Sequence, residues 1–321
     1  AYKDRLIEKD GAASTLLDDV MHKMKEEKDV YCKIHVKTSL KVDPAFEKPG
    51  KTIRVWLPIP KEYAQVEDFK LLNTSHKGLV NDNSVDQRCV YIEKPYEKGE
   101  EFSVEYEFIN HMHYEELDPN IVTDEHPDTC LEEYAPHVVF TDYLKDLVKE
   151  IIGEETNPLL KAKLIYNYIT THVTYSYVRA YATLPCIPEY ITTGLKGDCG
   201  LQALTFITLC RIAGIPATWQ AGLYTTPETI GNHDWARFYV APYGWLYADC
   251  SFGGGSYRDP FRTPCSSKFQ GAFVPAKNFL PNDPFDNQNG EMEYVDEAIP
   301  GKYIIKETEK IEISLLEDQN A

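Results

Sequence analysis

The chain of 321 residues is long enough for one large domain or two ordinary ones, and its 43% hydrophobic and 26% charged content is that of a soluble globular protein. Its 51 Asp+Glu outnumber 33 Lys+Arg, giving a net charge of −18. Such a surface repels phosphate backbones and anionic lipid and argues against nucleic acid or a bare membrane as partner, although acidity of this order is also common in proteins with no special partner. No apolar run reaches the ~18 residues of a spanning helix. The terminus AYKDRLIEKD has no apolar h-region, so no signal peptide is expected there, and an already removed one leaves the same sequence. The eight cysteines (Cys32, Cys89, Cys130, Cys186, Cys199, Cys210, Cys250 and Cys265) form no CxxC pair and no zinc spacing. A chain of this size needs no disulfide staples, so free thiols in a reducing cytoplasm are expected, with export after signal removal as the alternative.

Residues 1–29 read as a polar helix ending in the charged stretch Lys23–Asp29. The period then changes to two: Cys32, Ile34, Val36, Leu40 and Val42 alternate with polar residues, as do Ile53, Val55, Leu57 and Ile59, and Phe102, Val104, Tyr106 and Phe108. Alternation of this kind, broken by turns such as Lys48-Pro49-Gly50 and Glu97-Lys98-Gly99, predicts an antiparallel β-sandwich domain over residues 30–115. From residue 116 to 321 a second, catalytic domain with C-terminal strands is expected.

Helical periodicity begins near residue 130. Thr141 is placed to cap a helix carrying Leu144, Leu147, Val148 and Ile151, which stops at Gly153. Asn157-Pro158 opens a second, with Ala162, Ile165, Tyr166 and Ile169. Residues 199–213, CGLQALTFITLCRIA, carry one charge and are apolar nearly all round, so this helix must be buried on most sides. Gly214 and Pro216 stop it. Strands at 217–224, 233–240 and 245–250 follow, the last two joined by Ala241-Pro242-Tyr243-Gly244. The chain is then Gly- and Pro-rich to about residue 290 and strand-like again over Tyr303–Leu315.

Chemistry concentrates in GDCGLQ at 197–202, NHDWARFYV at 232–240 and GWLYADCSFGG at 244–254. Asp198 stands where an N-cap belongs, so Cys199 falls in the first turn of the buried helix. Free backbone N–H groups and the helix dipole there favour a thiolate. Gly197 and Gly200 leave room for a substrate backbone beside the sulfur, and the Cys199 N–H can point at a carbonyl oxygen under attack. A thiol needs a base, and the base an orienter. His233, Trp235, Arg237 and Tyr239 share one strand face, and Trp245, Tyr247 and Asp249 share one face of the next. A hairpin bringing those faces together lets Asp249 accept the Nδ1–H of His233 and leaves Nε2 for Cys199.

Taken singly, each residue has a plainer reading: Cys199 as packing, His233 as a hydrogen-bonded strand residue, Asp249 as a turn cap. Other clusters are weaker still. His111 and His113 with Glu115 and Glu116 read as a solvated strand end rather than metal ligands. Asp283, Asp286, Asn287 and Asn289 miss the spacing of a calcium loop, and Gly253-Gly254-Gly255 reads as a flexible loop at the cleft edge. Cys250, on the opposite strand face from Asp249, is expected in the core.

The order G-D-C at a helix start, H-D-W on a strand and an aromatic-rich strand ending in Asp resembles the transglutaminase-like superfamily of papain-like cysteine enzymes. GDCGLQALTFITLCRIAGIPATWQAGLY is similar to its bacterial branch, and the likeness covers roughly residues 130–295. The sandwich before it resembles the N-terminal domain many such proteins carry. The resemblance implies an α+β fold, with a buried nucleophile helix packed on an antiparallel sheet. It places the family's nucleophile on Cys199, its histidine on His233 and its aspartate on Asp249. Papain-like enzymes add a Gln or Trp side chain to the oxyanion hole upstream of the nucleophile. None stands between His172 and Cys199; Tyr175, Tyr177, Tyr181 and Tyr190 are the available donors, and Tyr175 is the candidate chosen. The implied chemistry is acyl transfer on amide bonds of a peptide or protein, including glutamine side chains, through a thioester and without a cofactor. Hydrolysis is favoured. A glutamine cross-linking transferase, a peptide-linked glycan amidase and a non-catalytic binding module on the same fold stay open as alternatives.

Overall fold

A computed structural model describes residues 16–63, 65–84, 88–225, 230–253, 271–273, 288 and 290–316. Two compact units partition them. One holds the described residues among Ala1–Lys28, His113–Gln220 and Asp234–Ser267, the other those among Asp29–Met112, Ala221–His233 and Lys268–Ala321. The N-terminal helix α1 is Leu16–Glu27, and the strands that follow it are β1 (Asp29–Val42), β2 (Thr52–Pro58), β3 (Val66–Thr74), β4 (Leu79–Val80), β5 (Cys89–Pro95) and β6 (Glu101–His113). Next come α2 (Asp142–Ile152), α3 (Pro158–His172), β7 (Thr174–Tyr175), α4 (Ile187–Gly194), β8 (Lys196–Gly197) and α5 (Cys199–Ile212). Then β9 (Ala217–Thr225), β10 (Ile230–Val240), β11 (Gly244–Ala248), α6 (Cys250–Gly253), β12 (Gly271–Phe273), β13 (Glu291–Tyr294), β14 (Glu297–Ala298) and β15 (Ile304–Leu315).

The expected alternation is realised in β1, β2 and β6, where Ile34, Val55 and Tyr106 are fully buried while their neighbours stay partly exposed. These strands form two sheets, ordered β15-β1-β6-β3 and β14-β13-β2-β5-β4. One expectation is corrected here. The C-terminal strands do not extend the domain expected over residues 116–321. β15 pairs antiparallel with β1, from Cys32↔Leu315 to Val42↔Ile304, and β13 pairs with β2. Period-two patterning marks a segment as a strand but carries no address for its partner. β15 is an edge strand with only Ile304 and Ile313 buried, so its own pattern is weak.

His111 belongs to this strand unit as a bridging group. Its Nδ1 lies 2.7 Å from Glu67 and its Nε2 2.8 Å from Asp29, and its ring stacks on Tyr31 with centroids 4.3 Å apart. His113, Glu115 and Glu116 do not join it, and no metal-binding cluster exists among the described residues. The residues of the calcium-loop reading, Asp283, Asp286, Asn287 and Asn289, lie outside the described residues, as do Gly254, Gly255 and Cys265.

In the helical unit the expected caps form. Thr141 accepts from Leu144 N at 3.3 Å, and Asn157 accepts from Leu159 N at 3.0 Å and Leu160 N at 3.2 Å. Every residue of α5 from Gly200 to Cys210 is buried. A helix with no wet face must satisfy its polar side chains internally. Thr205 and Thr208 do so by donating to the carbonyls of Leu201 and Leu204, both at 2.8 Å. Gln202 donates to Gly197 O at 3.1 Å. Phe206 stands edge-on to Phe238 of β10 and to Tyr166 of α3, with centroids 5.6 and 6.4 Å apart; each such aromatic pair contributes about 0.5–1.5 kcal/mol.

β10 belongs to a sheet ordered β11-β10-β9-β12. The hairpin pairs Val240↔Gly244 through Ala236↔Ala248, so Arg237, Tyr239, Trp245 and Tyr247 share the expected face. There the Arg237 guanidinium lies over the Trp245 and Tyr247 rings. Among the elements that the periodicity argument did not name are α4, a short helix with Pro188 in its first turn, and the two-residue strands β7 and β8, which pair in parallel.

The paired carboxylates give the strand unit a pH dependence. Burial opposes charge on His111, but Asp29 and Glu67 outweigh it and raise its pKa. Its stabilising contribution is therefore complete below the unfolded value of about 6.5 and is lost as pH rises through the higher folded value. His111→Ala is expected to lower the urea midpoint more at about pH 5.5 than at about pH 9; an equal loss at both would contradict this.

Candidate active site

The site grows from the entry to α5. Asp198 has extended backbone geometry and caps the helix, its Oδ1 accepting from Leu201 N at 3.0 Å. Replacing such a cap by Ala typically costs about 0.5–2 kcal/mol. The same oxygen accepts from the Tyr181 hydroxyl at 2.7 Å. Upstream, β8 pairs Gly197 with Tyr175 of β7, and Ser176 N donates to Gly197 O at 3.1 Å. A side chain at Gly197 would strike Ile191, whose Cδ1 is 2.0 Å from the site of an added Cβ. Backbone pairing thus fixes the approach to Cys199, which is partly exposed where the helix behind it is buried.

Around the sulfur stand groups from four places in the chain. Cys199 Sγ donates to Asp234 Oδ2 of β10 at 3.5 Å, and the Asp234 backbone amide also hydrogen-bonds to the sulfur. Tyr175 approaches by its hydroxyl. Asp249 is buried and near enough to act on Cys199 through its charge. Asp249 does not end β11 but fills the single step between β11 and α6. There its Oδ1 accepts from Ser251 Oγ at 3.0 Å and its carbonyl from the buried Tyr166 hydroxyl at 3.2 Å. Cys250 points into the core as expected, fully buried with Cys210 near it.

His233 immediately precedes Asp234 on β10. It is buried, and its ring stands edge-on to Tyr224, with centroids 6.3 Å apart.

The electrostatics reverse one expectation. Burial first, then Asp234 and Asp198 and more weakly Asp249, push the Cys199 thiol well above its ordinary value. The helix N-terminus carries only about half a positive charge, and a hydrogen bond from the Asp234 amide adds a little more. Against burial and three carboxylates these do not prevail, so the resting sulfur is a thiol. Burial and the neighbouring Cys199 and Asp198 likewise hold the Tyr175 phenol protonated, and burial with Asp234 and Asp198 does the same for Tyr181.

Asp234 and Tyr181 are the residues sequence reasoning did not single out. Their signal was Gly200. A Cβ there would meet Tyr181 Oη at 2.1 Å and Asp234 Oδ2 at 3.0 Å, so only glycine lets both close on the sulfur.

A buried helix opening on a cysteine, packed on an antiparallel sheet, is the class of core on which papain-like thiol enzymes are built. Residues 145–250, about a third of the chain, match the model of the transglutaminase-like superfamily. A Haemophilus influenzae relative, an uncharacterised protein, is 30% identical over 149 residues, which are 37% of this chain and 39% of that protein. The chain thus spans about two-fifths of that relative's length. A crystal structure of a proposed cysteine protease from Cytophaga hutchinsonii aligns over 90% of both chains with TM-score 0.55 and 15% identity, a likeness of fold. The periplasmic domain of TgpA from Pseudomonas aeruginosa aligns over 73% of this chain and 91% of its own, with TM-score 0.38 and 14% identity.

Gly200→Ala tests the packing around the sulfur by sign. Alanine is favoured over glycine within helices by up to about 1 kcal/mol. Here the clash with Tyr181 should reverse that and destabilise by about 1–3 kcal/mol in urea unfolding. A midpoint equal to or above the wild type would show that Tyr181 does not sit against the helix.

Proposed function

We propose that the chain is a thiol-dependent acyl-transfer enzyme acting on amide bonds, with Cys199 as nucleophile, His233 as its base and Asp249 orienting the base. Hydrolysis is the favoured outcome, and the substrate is a peptide or protein amide. The observation that carries the reading is the position of Cys199. It is the partly exposed first residue of a helix buried from Gly200 to Cys210, with its sulfur hydrogen-bonded to Asp234 of β10, the residue following His233.

The steps follow from the groups named. The thiol proton passes to His233 Nε2, and the thiolate attacks the carbonyl carbon. The Cys199 N–H and the Tyr175 hydroxyl, kept protonated by its surroundings, receive the developing oxyanion. His233 returns the proton to the leaving amine as the C–N bond breaks, leaving a thioester. It then takes a proton from water, whose oxygen attacks the thioester; the acid departs and the sulfur regains its proton. Asp249 steadies the imidazolium formed in both halves. No metal or organic cofactor is called for by these steps.

A panel of fluorogenic amides, glutamine peptides and glycopeptides, with products weighed by mass spectrometry in 18O-water, tests the reading. Release of amine with incorporation of 18O is expected, abolished in Cys199→Ala and lowered about 10²–10⁴-fold in His233→Ala. Incorporation of an added primary amine in place of water would make it a cross-linking transferase, and turnover of glycopeptides alone a glycan amidase. A folded protein that forms no acyl-enzyme with any of them would overturn catalysis in favour of a binding module.

A further inference from the structure

Asp234 has no part in the acyl-transfer steps, yet it is the residue that touches the nucleophile. Its side chain is 5% exposed, its Oδ2 lies 3.5 Å from Cys199 Sγ, and its own backbone amide also points at the sulfur. An ionised carboxylate only accepts hydrogen bonds, so the contact requires the hydrogen to reside on sulfur. The two halves of Asp234 therefore act in opposite senses: the carboxylate favours the thiol, the amide the thiolate. Gly200 leaves the space in which the carboxylate sits.

We propose that Asp234 is a positioning residue that latches Cys199: turned in, its carboxylate holds the thiol at rest, and turned away by an arriving substrate it leaves the amide to hold the thiolate. The inference rests on Cys199 being the nucleophile. When the latch opens, the proton leaves sulfur for His233 Nε2 and nothing is transferred to Asp234, so charge and atoms balance.

The other titratable groups around Cys199, with His233 placed there by the proposed function, define what the latch adds. Asp198 lies at the start of α5, with its Oδ1 engaged by Leu201 N and Tyr181. Asp249 follows β11 and accepts from Ser251. Tyr175 comes from β7, Tyr181 from the turn before α4, and His233 from the same strand as Asp234. Of these groups His233 alone can carry positive charge. Asp234 is the carboxylate that hydrogen-bonds with the sulfur.

The test is the pH profile of Cys199 alkylation by iodoacetamide, followed by peptide mass mapping. Asp234→Asn keeps shape and removes charge. It should move the alkylation midpoint down by at least one pH unit, so that labelling near pH 6 is about 10-fold faster than in the wild type. The acidic limb of the kcat/KM profile should move the same way, and Asp234→Glu should return both toward the wild type. Superimposable profiles for wild type and a folded Asp234→Asn would overturn the latch, with Asp234→Ser as the second variant should Asn fail to fold. Titration of the Cys199 13Cβ resonance in the wild-type protein needs no substitution at 234. A thiolate already formed at neutral pH in the absence of substrate would equally overturn it. A profile that moves while no amide is turned over would sink the enzymatic reading and leave the latch standing; turnover with an unmoved profile would do the reverse.

Discussion

Helix α5 has no polar face, and the site proposed for this protein sits at its N-terminal turn, where Cys199 is partly exposed. Its buried threonines return their hydroxyls to carbonyls one turn back, and Gln202 reaches back to Gly197, so the interior of the helix asks nothing of solvent. Only the N-terminal turn keeps unpaired donors, and Asp198 takes one of them. Cys199 is thereby held rigidly at the edge of a low-dielectric core. Such placement fixes a nucleophile's direction, and it also makes any charge on it expensive.

That cost explains why so many groups crowd the sulfur. A helix dipole alone does not support a thiolate beside Asp198, Asp234 and Asp249. An imidazolium partner would offset their field, so the ionised sulfur belongs to a pair formed when substrate arrives rather than to the resting protein. The same crowding accounts for Gly200 and for the phenols of Tyr175 and Tyr181, which stay protonated and able to donate. Tyr175 reaches its position through the two-residue pairing of β7 with β8, a backbone device that ties the candidate oxyanion donor to the residue two before the nucleophile.

The sequence disclosed whatever depends on neighbours. The caps at Thr141, Asn157 and Asp198, the all-apolar α5 and the shared face of Arg237, Tyr239, Trp245 and Tyr247 follow from local period and local chemistry, and each is realised. What was hidden depends on distance. β15 meets β1 across almost the whole chain, and no pattern within either strand names the other. Asp234 was passed over because strand parity drew attention to His233, Trp235 and the face they share, and nothing local marks it as the neighbour of a sulfur 35 residues upstream. The expectation of a resting thiolate failed for a related reason. A dipole is legible from a cap and a helix start, whereas opposing carboxylates gathered from three separate segments are not.

The claim on which the rest turns is that Cys199 is singled out by its surroundings from the other seven cysteines. Mass spectrometry of the intact protein mixed with a fluorogenic amide or its activated-ester analogue, with peptide mapping of the adduct, measures this directly. The account predicts that the acyl group is found on Cys199 and that it forms at least about 10-fold more slowly in His233→Ala. Acyl adducts spread over several cysteines, or a Cys199 rate indifferent to His233, would contradict it.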